Sequence, residues 1–348
     1  MVWGLSFLGT IRIINQGKTI NRLKLVFSTK CYIMRFIFSS ALMLLFFCSF
    51  GQRSKITFTA NEKEHLSALE DTLSFYAHSI VNDSLPEDRF YATRELIVTL
   101  VKTLKIKNSF YYPFSKLTSV SLQYPPDSSF RMFTWQLAVS PSEYRYYGAL
   151  QRKSDSLILF PLIDRSFTIT QPDIASLSPE NWMGCLVYGI QQFGVGDSAT
   201  YLAFGYDAND GKTRKKWIDP IRFVRNKPVF GAPLFPPDPK DSSATIPFRF
   251  ILSYSAESTI KLNYDAELGL IVFDHLAPLV LKAGQPEEMV PDGSYEAFKI
   301  LPDKLEYIEM LTVTSTDEES IRQKPILGRE GKDLFGKSGL EKKKKGNN

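Results

Sequence analysis

Residues 130–151 read FRMFTWQLAVSPSEYRYYGALQ. Phe133, Trp135, Leu137 and Val139 recur at every second position, the period of a strand whose alternate side chains share a face. Ser140, Pro141 and Ser142 supply turn-forming residues. Tyr144, Tyr146, Gly148 and Leu150 then repeat the period. The stretch is predicted to be an antiparallel hairpin, and its period recurs along most of the remaining chain.

Downstream, short apolar and aromatic runs alternate with turn clusters. Residues 157–163 are apolar on both faces, as in a central strand. Runs at 182–193, 200–206, 214–224, 229–234, 248–254, 259–264, 270–276, 295–301 and 305–313 continue the series, about a dozen strands in all. Asn209-Asp210-Gly211 reads as a hairpin turn, since Asn and Gly tolerate positive φ. A Pro/Asp/Ser-rich loop fills 233–247, and a second polar loop is expected at 284–294. Tyr188-Gly189, Phe204-Gly205 and Phe230-Gly231 each place an aromatic before glycine, where a bare Cα lets a neighbouring aromatic pack close.

Upstream of the hairpin the period is helical. Leu66, Leu69, Leu73, Tyr76, Ala77 and Ile80 follow three- and four-residue spacing. Asn61, with Glu64 three later, resembles a capping box. Asp83, Ser84 and Pro86 break the run. A second helix is predicted from about 88 to 105, with Leu96, Ile97, Leu100, Val101 and Leu104 on one face. The expected fold is α+β and mainly β. A helical N-terminal hairpin (52–109) precedes a large antiparallel meander (110–314) that closes into a sandwich or open barrel. The segment 315–348 loses the hydrophobic pattern, ends in EKKKKGNN and is expected to be a disordered basic tail.

Residues 34–52 read MRFIFSSALMLLFFCSFGQ. Arg35, an apolar run from Phe36 to Phe47, and small residues Ser49 and Gly51 form the charge–core–cleavage order of a secretory signal peptide. Cleavage is expected between Gly51 and Gln52. The apolar run is short for a membrane span, so a membrane link is expected only through an uncleaved leader. Residues 1–33 read as a non-native extension ahead of Met34, or as a long n-region.

Net charge changes meaning once the ends are set aside. The whole chain is +5, but residues 52–320 carry 27 basic and 34 acidic side chains. A body of that sign does not attract a polyphosphate backbone, so nucleic acid is not an expected partner. Of three cysteines, only Cys185 follows the leader, which rules out an internal disulfide in the mature chain. Its apolar neighbours Trp182, Leu186 and Val187 mark it as a buried small hydrophobe.

Candidate chemistry is sparse. No G-x-S-x-G or H-E-x-x-H motif is present, and Gly194-Val195-Gly196 lacks the Lys-Ser/Thr of a phosphate loop. DANDG at 207–211 is too short for a calcium loop, because Gly211 falls on a ligand position. No metal or cofactor is expected. His65 and His78 read as surface helix residues, and His275 as a hydrogen-bonded core or rim residue without a nameable partner. Asp164, Asp207 and Asp265 each close a strand run (FPLID, AFGYD, KLNYD) and, placed on one sheet rim, are candidate catalytic carboxylates for a glycan. The plainer explanation is that Asp favours strand turns. With 13% aromatic residues, Tyr144, Tyr146 and Tyr147, joined by Tyr111 and Tyr112, are candidates for a ligand-stacking surface. Strand aromatics more often pack in the core.

The segments FTWQLAV (133–139), YRYYGALQ (144–151), FPLIDRS (160–166), NWMGCLVYGI (181–190), YLAFGYD (201–207) and KPVFGAPLF (227–235) resemble a set of uncharacterised exported proteins of Bacteroidota-type bacteria. The resemblance covers roughly a third of the chain and implies export and a shared β domain; it carries no activity or residue role. The expectation is an exported periplasmic or envelope-associated protein, a non-enzymatic binding or structural module with a protein or glycan partner. The alternative is a glycan-active hydrolase using the strand-end carboxylates.

Overall fold

The computed structural model describes residues 58–194, 199–237, 245–279, 288–302, 304–309 and 311. The leader, the Gly51–Gln52 junction and the tail lie outside these residues, as do 238–244 of the proline-rich loop.

Two helices, α1 (Ala60–Asn82) and α2 (Pro86–Leu104), come first. The cap of α1 is Thr59 rather than Asn61. Thr59 Oγ1 accepts the Glu62 N–H at 3.2 Å, and Glu62 Oε2 accepts the Thr59 N–H at 2.9 Å. That reciprocal box satisfies two otherwise orphaned donors, so the helix starts earlier than expected. The helical run breaks at residues 83–85 as expected, and Pro86 opens α2 two residues ahead of the expected start. At a first helical position its missing N–H costs nothing.

The hairpin lays Leu66, Leu73, Ala77 and Ile80 of α1, with Leu96, Leu100 and Leu104 of α2, against Phe133, Trp135 and Leu137. Each buried leucine, isoleucine or phenylalanine among them contributes roughly 1.5–3 kcal/mol before entropy is counted. Ile97, expected on the packed face, is exposed, because one residue beyond Leu96 is about 100° around the helix.

The described residues form thirteen antiparallel strands in three sheets. The first sheet is β1 (Ser121–Gln123), β2 (Phe130–Ser140), β3 (Glu143–Arg152) and β4 (Leu159–Ile163), in that order. The second is β5 (Leu186–Phe193), β6 (Thr200–Asp207), β7 (Thr213–Val224) and β8 (Lys227–Phe230), with β9 (Phe250–Ser255) beside the first half of β7. The third is β10 (Leu262–Asp265), β11 (Leu270–Leu279), β12 (Glu288–Ile300) and β13 (Leu305–Ile308). Within each sheet neighbours in sequence are neighbours in space, as in a meander, except that β9 pairs with β7 rather than β8. Among the described residues none of the sheets closes into a barrel.

The sheets stack. β2 presents Phe133, Trp135 and Leu137 to the helices, and Phe130 and Met132 to the second sheet. The second sheet meets this core with Val187, Tyr201, Ala203, Trp217 and Ile221. Its other face offers Leu202, Phe204 and Ile218 to Ile271, Phe273 and Phe298 of the third sheet. β6 is therefore apolar along both faces, like the centre of a layered sandwich. Cys185 is buried in the first of these cores, as expected, and burial raises its thiol pKa well above the usual range. Gly205 lies where an added Cβ would sit 2.8 Å from both Cys185 Sγ and Trp217 Nε1, so the glycine admits the indole.

Two boundaries move. β8 begins at Lys227, because Arg225 and Asn226 (φ 48° and 67°) form a two-residue turn pairing Val224 with Lys227. Positive φ at both turn residues matches the twist of the flanking strands. The polar loop expected at 284–294 is strand from Glu288 onward.

Two arginines are buried among the layers. Arg131 donates to Ser109 O (2.8 Å), Tyr112 O (2.9 Å), Gln151 Oε1 (2.8 Å) and Tyr124 Oη (3.0 Å). Its guanidinium also lies 4.9 Å from the Phe133 ring centre and 5.0 Å from that of Phe114. Arg249 pairs with Asp219 and donates to Pro172 O at 2.8 Å, tying a long loop to the second sheet.

Candidate functional site

The three aspartates expected on one rim sit on three sheets. Asp164 follows β4, Asp207 ends β6 and Asp265 ends β10. The meander is divided between sheets, so strand parity does not bring its ends together. Asp164 and Asp207 do approach each other around Tyr146. The Tyr146 N–H donates to Asp164 Oδ2 at 3.2 Å, and Tyr146 Oη accepts the Ala208 N–H at 2.8 Å and donates to Asp207. Asp164 also accepts the Ser166 N–H and hydroxyl. Burial raises the Asp207 pKa, with the Asn209 N–H opposing it. Asp265 caps the β10–β11 turn, accepting N–H bonds from Glu267 and Leu268.

The tyrosines do not share one surface. Tyr144 and Tyr146 face the core between the first two sheets, and Tyr146 is buried. Tyr147, one residue on, faces the helices and stacks on Trp135 with ring centres 5.9 Å apart. Alternation along β3 dictates that split. Tyr112 is buried and donates to Glu70 Oε2 at 2.6 Å, whereas Tyr111 is exposed. His65 and His78 are exposed on α1, as expected.

A different set of side chains surrounds a cavity of about 670 Å³ lined from β9, β11, β12, β13 and the start of the proline-rich loop. Phe235, Phe250 and Phe298 form its apolar wall. The Phe250 and Phe298 rings meet edge to face with centres 4.8 Å apart, and Phe235 stands 5.7 Å from Phe298. Such edge-to-face contacts lock ring orientation. Tyr307 lies opposite Phe298 across the β12–β13 ladder and carries the wall to the rim.

His275, on the polar side of the cavity, sits in a bulge. Asp274 pairs with Tyr295 and Leu276 with Pro291, so His275 alone faces Asp292, Gly293 and Ser294. Gly293 has φ 92°, a conformation that side-chain-bearing residues rarely adopt. Asp292 Oδ1 accepts the Ser294 N–H (2.9 Å) and hydroxyl (2.7 Å), closing the bulge. His275 Nδ1 donates to Asp292 Oδ2 at 2.8 Å, the donor role a carboxylate partner requires. The Ser294 donors, with the imidazole, hold the Asp292 pKa down to about 2. Nε2 of His275 is left 4.0 Å from Glu296 Oε1. Glu296 also accepts the Tyr307 hydroxyl, and burial, then the carboxylate, raises the Tyr307 pKa.

Asp173 and Glu309, both exposed, complete the rim with Glu296. Arg249 touches the cavity, but its charge is matched by Asp219 at 2.9 Å. Asp164, Asp207, Asp265 and the three candidate tyrosines do not line this cavity. The sequence missed the site because PDG at 291–293 carries a turn signature, and only the fold shows those residues facing His275. Among the described residues no group of three or more His, Cys, Asp or Glu is placed to hold a metal, and no helix is long and apolar enough to cross a membrane.

Comparison with protein-family models, curated proteins and solved structures found no match for this chain.

Proposed function

We propose that this is an exported, periplasmic or envelope-associated binding module, and that its ligand enters the cavity walled by Phe235, Phe250 and Phe298. The observation that carries this reading is the combination of volume and lining. About 670 Å³ lies in the range of small-molecule sites, and an apolar wall with a few convergent polar groups is their usual composition. The expected protein or glycan partner fits this enclosure only through a single protruding group. A small free molecule fits whole.

Acyl transfer is disfavoured by the surroundings of His275. Its hydrogen-bond partner among the described residues is Asp292 alone, and no serine, threonine or cysteine is hydrogen-bonded to it. Acyl transfer needs a nucleophile beside the base. Export is supported by the leader pattern and by the resemblance to exported proteins.

Titration with the neutral, apolar fluorophore N-phenyl-1-naphthylamine tests the cavity. The reading expects saturable enhancement at one site, with slowed hydrogen exchange in β9, β12 and β13 and none in β1–β4. No saturation, or protection confined to the first sheet, contradicts it. N-terminal sequencing of the native protein tests export: it should begin at Gln52.

A further inference from the structure

We infer that the cavity takes an organic cation: a substituted ammonium group carried on a small apolar or aromatic body. This rests on the cavity being a ligand site and adds the charge of the ligand. Three carboxylates, Asp173, Glu296 and Glu309, stand at the lining. The arginine there is neutralised by Asp219, and the imidazole Nδ1 is committed to Asp292. Among the described residues no lysine lines the cavity. The described lining therefore carries net negative charge, which attracts cations and repels anions.

The wall is suited to the same ligand. Aromatic faces attract ammonium groups through the ring quadrupole, most strongly where water is excluded. Phe250, Phe298 and Tyr307 cluster beside Glu296: the rings of Phe250 and Phe298 are 4.8 Å apart, and those of Phe298 and Tyr307 6.0 Å. Glu296 and Phe298 are two residues apart on β12, so both side chains stand on one face. A carboxylate thus lies beside aromatic rings in a partly enclosed space, and Glu296 is only 15% exposed. An ammonium seated there lies near both a carboxylate and aromatic rings. An anion at the same point gains neither.

Three probes of nearly one shape test the inference on the full chain: benzyltrimethylammonium, its uncharged isostere neopentylbenzene, and phenylacetate. Affinity is read by ligand-observed NMR at low salt. The cation should bind about ten-fold more tightly than the isostere, phenylacetate should not bind, and raising the salt should weaken only the cation. Glu296→Gln should bring the cation close to the isostere and leave the isostere unchanged. If Glu296→Gln fails to fold, Glu309→Gln, on an exposed residue, should reduce cation affinity in the same direction. Equal or tighter binding of neopentylbenzene or phenylacetate would overturn the charge inference while the cavity reading stands. No binding by any of the three at millimolar concentration would overturn both.

Discussion

Arg249 Nε lies 2.9 Å from Asp219 Oδ1, with the two side chains 0% and 5% exposed. The pair sits where β7, β9 and the 166–177 loop converge, directly behind the cavity. Burial pushes the Asp219 carboxyl pKa up, against the pull of the guanidinium. Removing one partner leaves an uncompensated charge in the core. Arg249→Met should cost about 3–5 kcal/mol in urea unfolding. Adding Asp219→Leu should recover part of that loss, because the orphaned carboxylate is then gone.

Gly184 (φ 55°) places its Cα where an added Cβ would lie 2.4 Å from Asp164 Cγ. That carboxylate is held by Tyr146 and Ser166, so it cannot withdraw freely. Gly184→Ala should destabilise by about 2 kcal/mol or more, through backbone strain and overpacking together. Thermal unfolding should show the loss. Asp164→Ala in the same background should lessen it.

Arg131 supplies hydrogen bonds to two backbone carbonyls and Gln151 from a fully buried position. Arg131→Met keeps much of the volume and removes every donor. Leaving those acceptors dry costs about 1–3 kcal/mol each at most, so the variant should lose roughly 3 kcal/mol or more in chemical denaturation. Such a loss would place the guanidinium, rather than its packed stem, as the element that joins the helical region to β2.

The β7–β8 turn should be improvable. Arg225 and Asn226 both adopt positive φ, which glycine reaches without a Cβ penalty. The Asn-Gly sequence favoured in such turns, made by R225N and N226G, should raise stability by roughly 0.5–1 kcal/mol. An unchanged or lower melting temperature would count against the turn geometry.

The acid limb should report Asp292. Its folded pKa is held to about 2, below the value near 4 of an unfolded aspartate. A depressed carboxyl stabilises the fold above the unfolded value, and that contribution is lost as pH falls through the folded one. D292N should therefore unfold at lower urea than the wild type at pH 5. The difference should shrink steadily below pH 4 and vanish only below pH 2. A difference independent of pH would show that the bulge does not depend on the charge.

The helical hairpin and the antiparallel strands that follow it were legible because they rest on periodicity. The alternation at Phe133, Trp135 and Leu137 and the helical spacing at Leu66, Leu73 and Ile80 are local signals. The register of β12 was not legible. Pro291, Asp292 and Gly293 look like a turn in one dimension, and only pairing with β11 makes them a bulge inside a strand. Asp164, Asp207 and Asp265 failed to share a rim for the complementary reason: strand counting assumes one sheet, and the chain makes three. Tyr146 and Tyr147 are neighbours in sequence and lie on opposite faces, so clustered aromatics there do not amount to a platform.

Intermolecular nuclear Overhauser contacts from bound benzyltrimethylammonium test the central claim most directly. Occupation of the cavity gives contacts from the methyl and ring protons to Phe250, Phe298 and Tyr307, and these should disappear when the ligand is dialysed away. Contacts instead to Tyr188 and Tyr264, which line a separate open groove beside β5 and β10, would contradict the assignment of the ligand site.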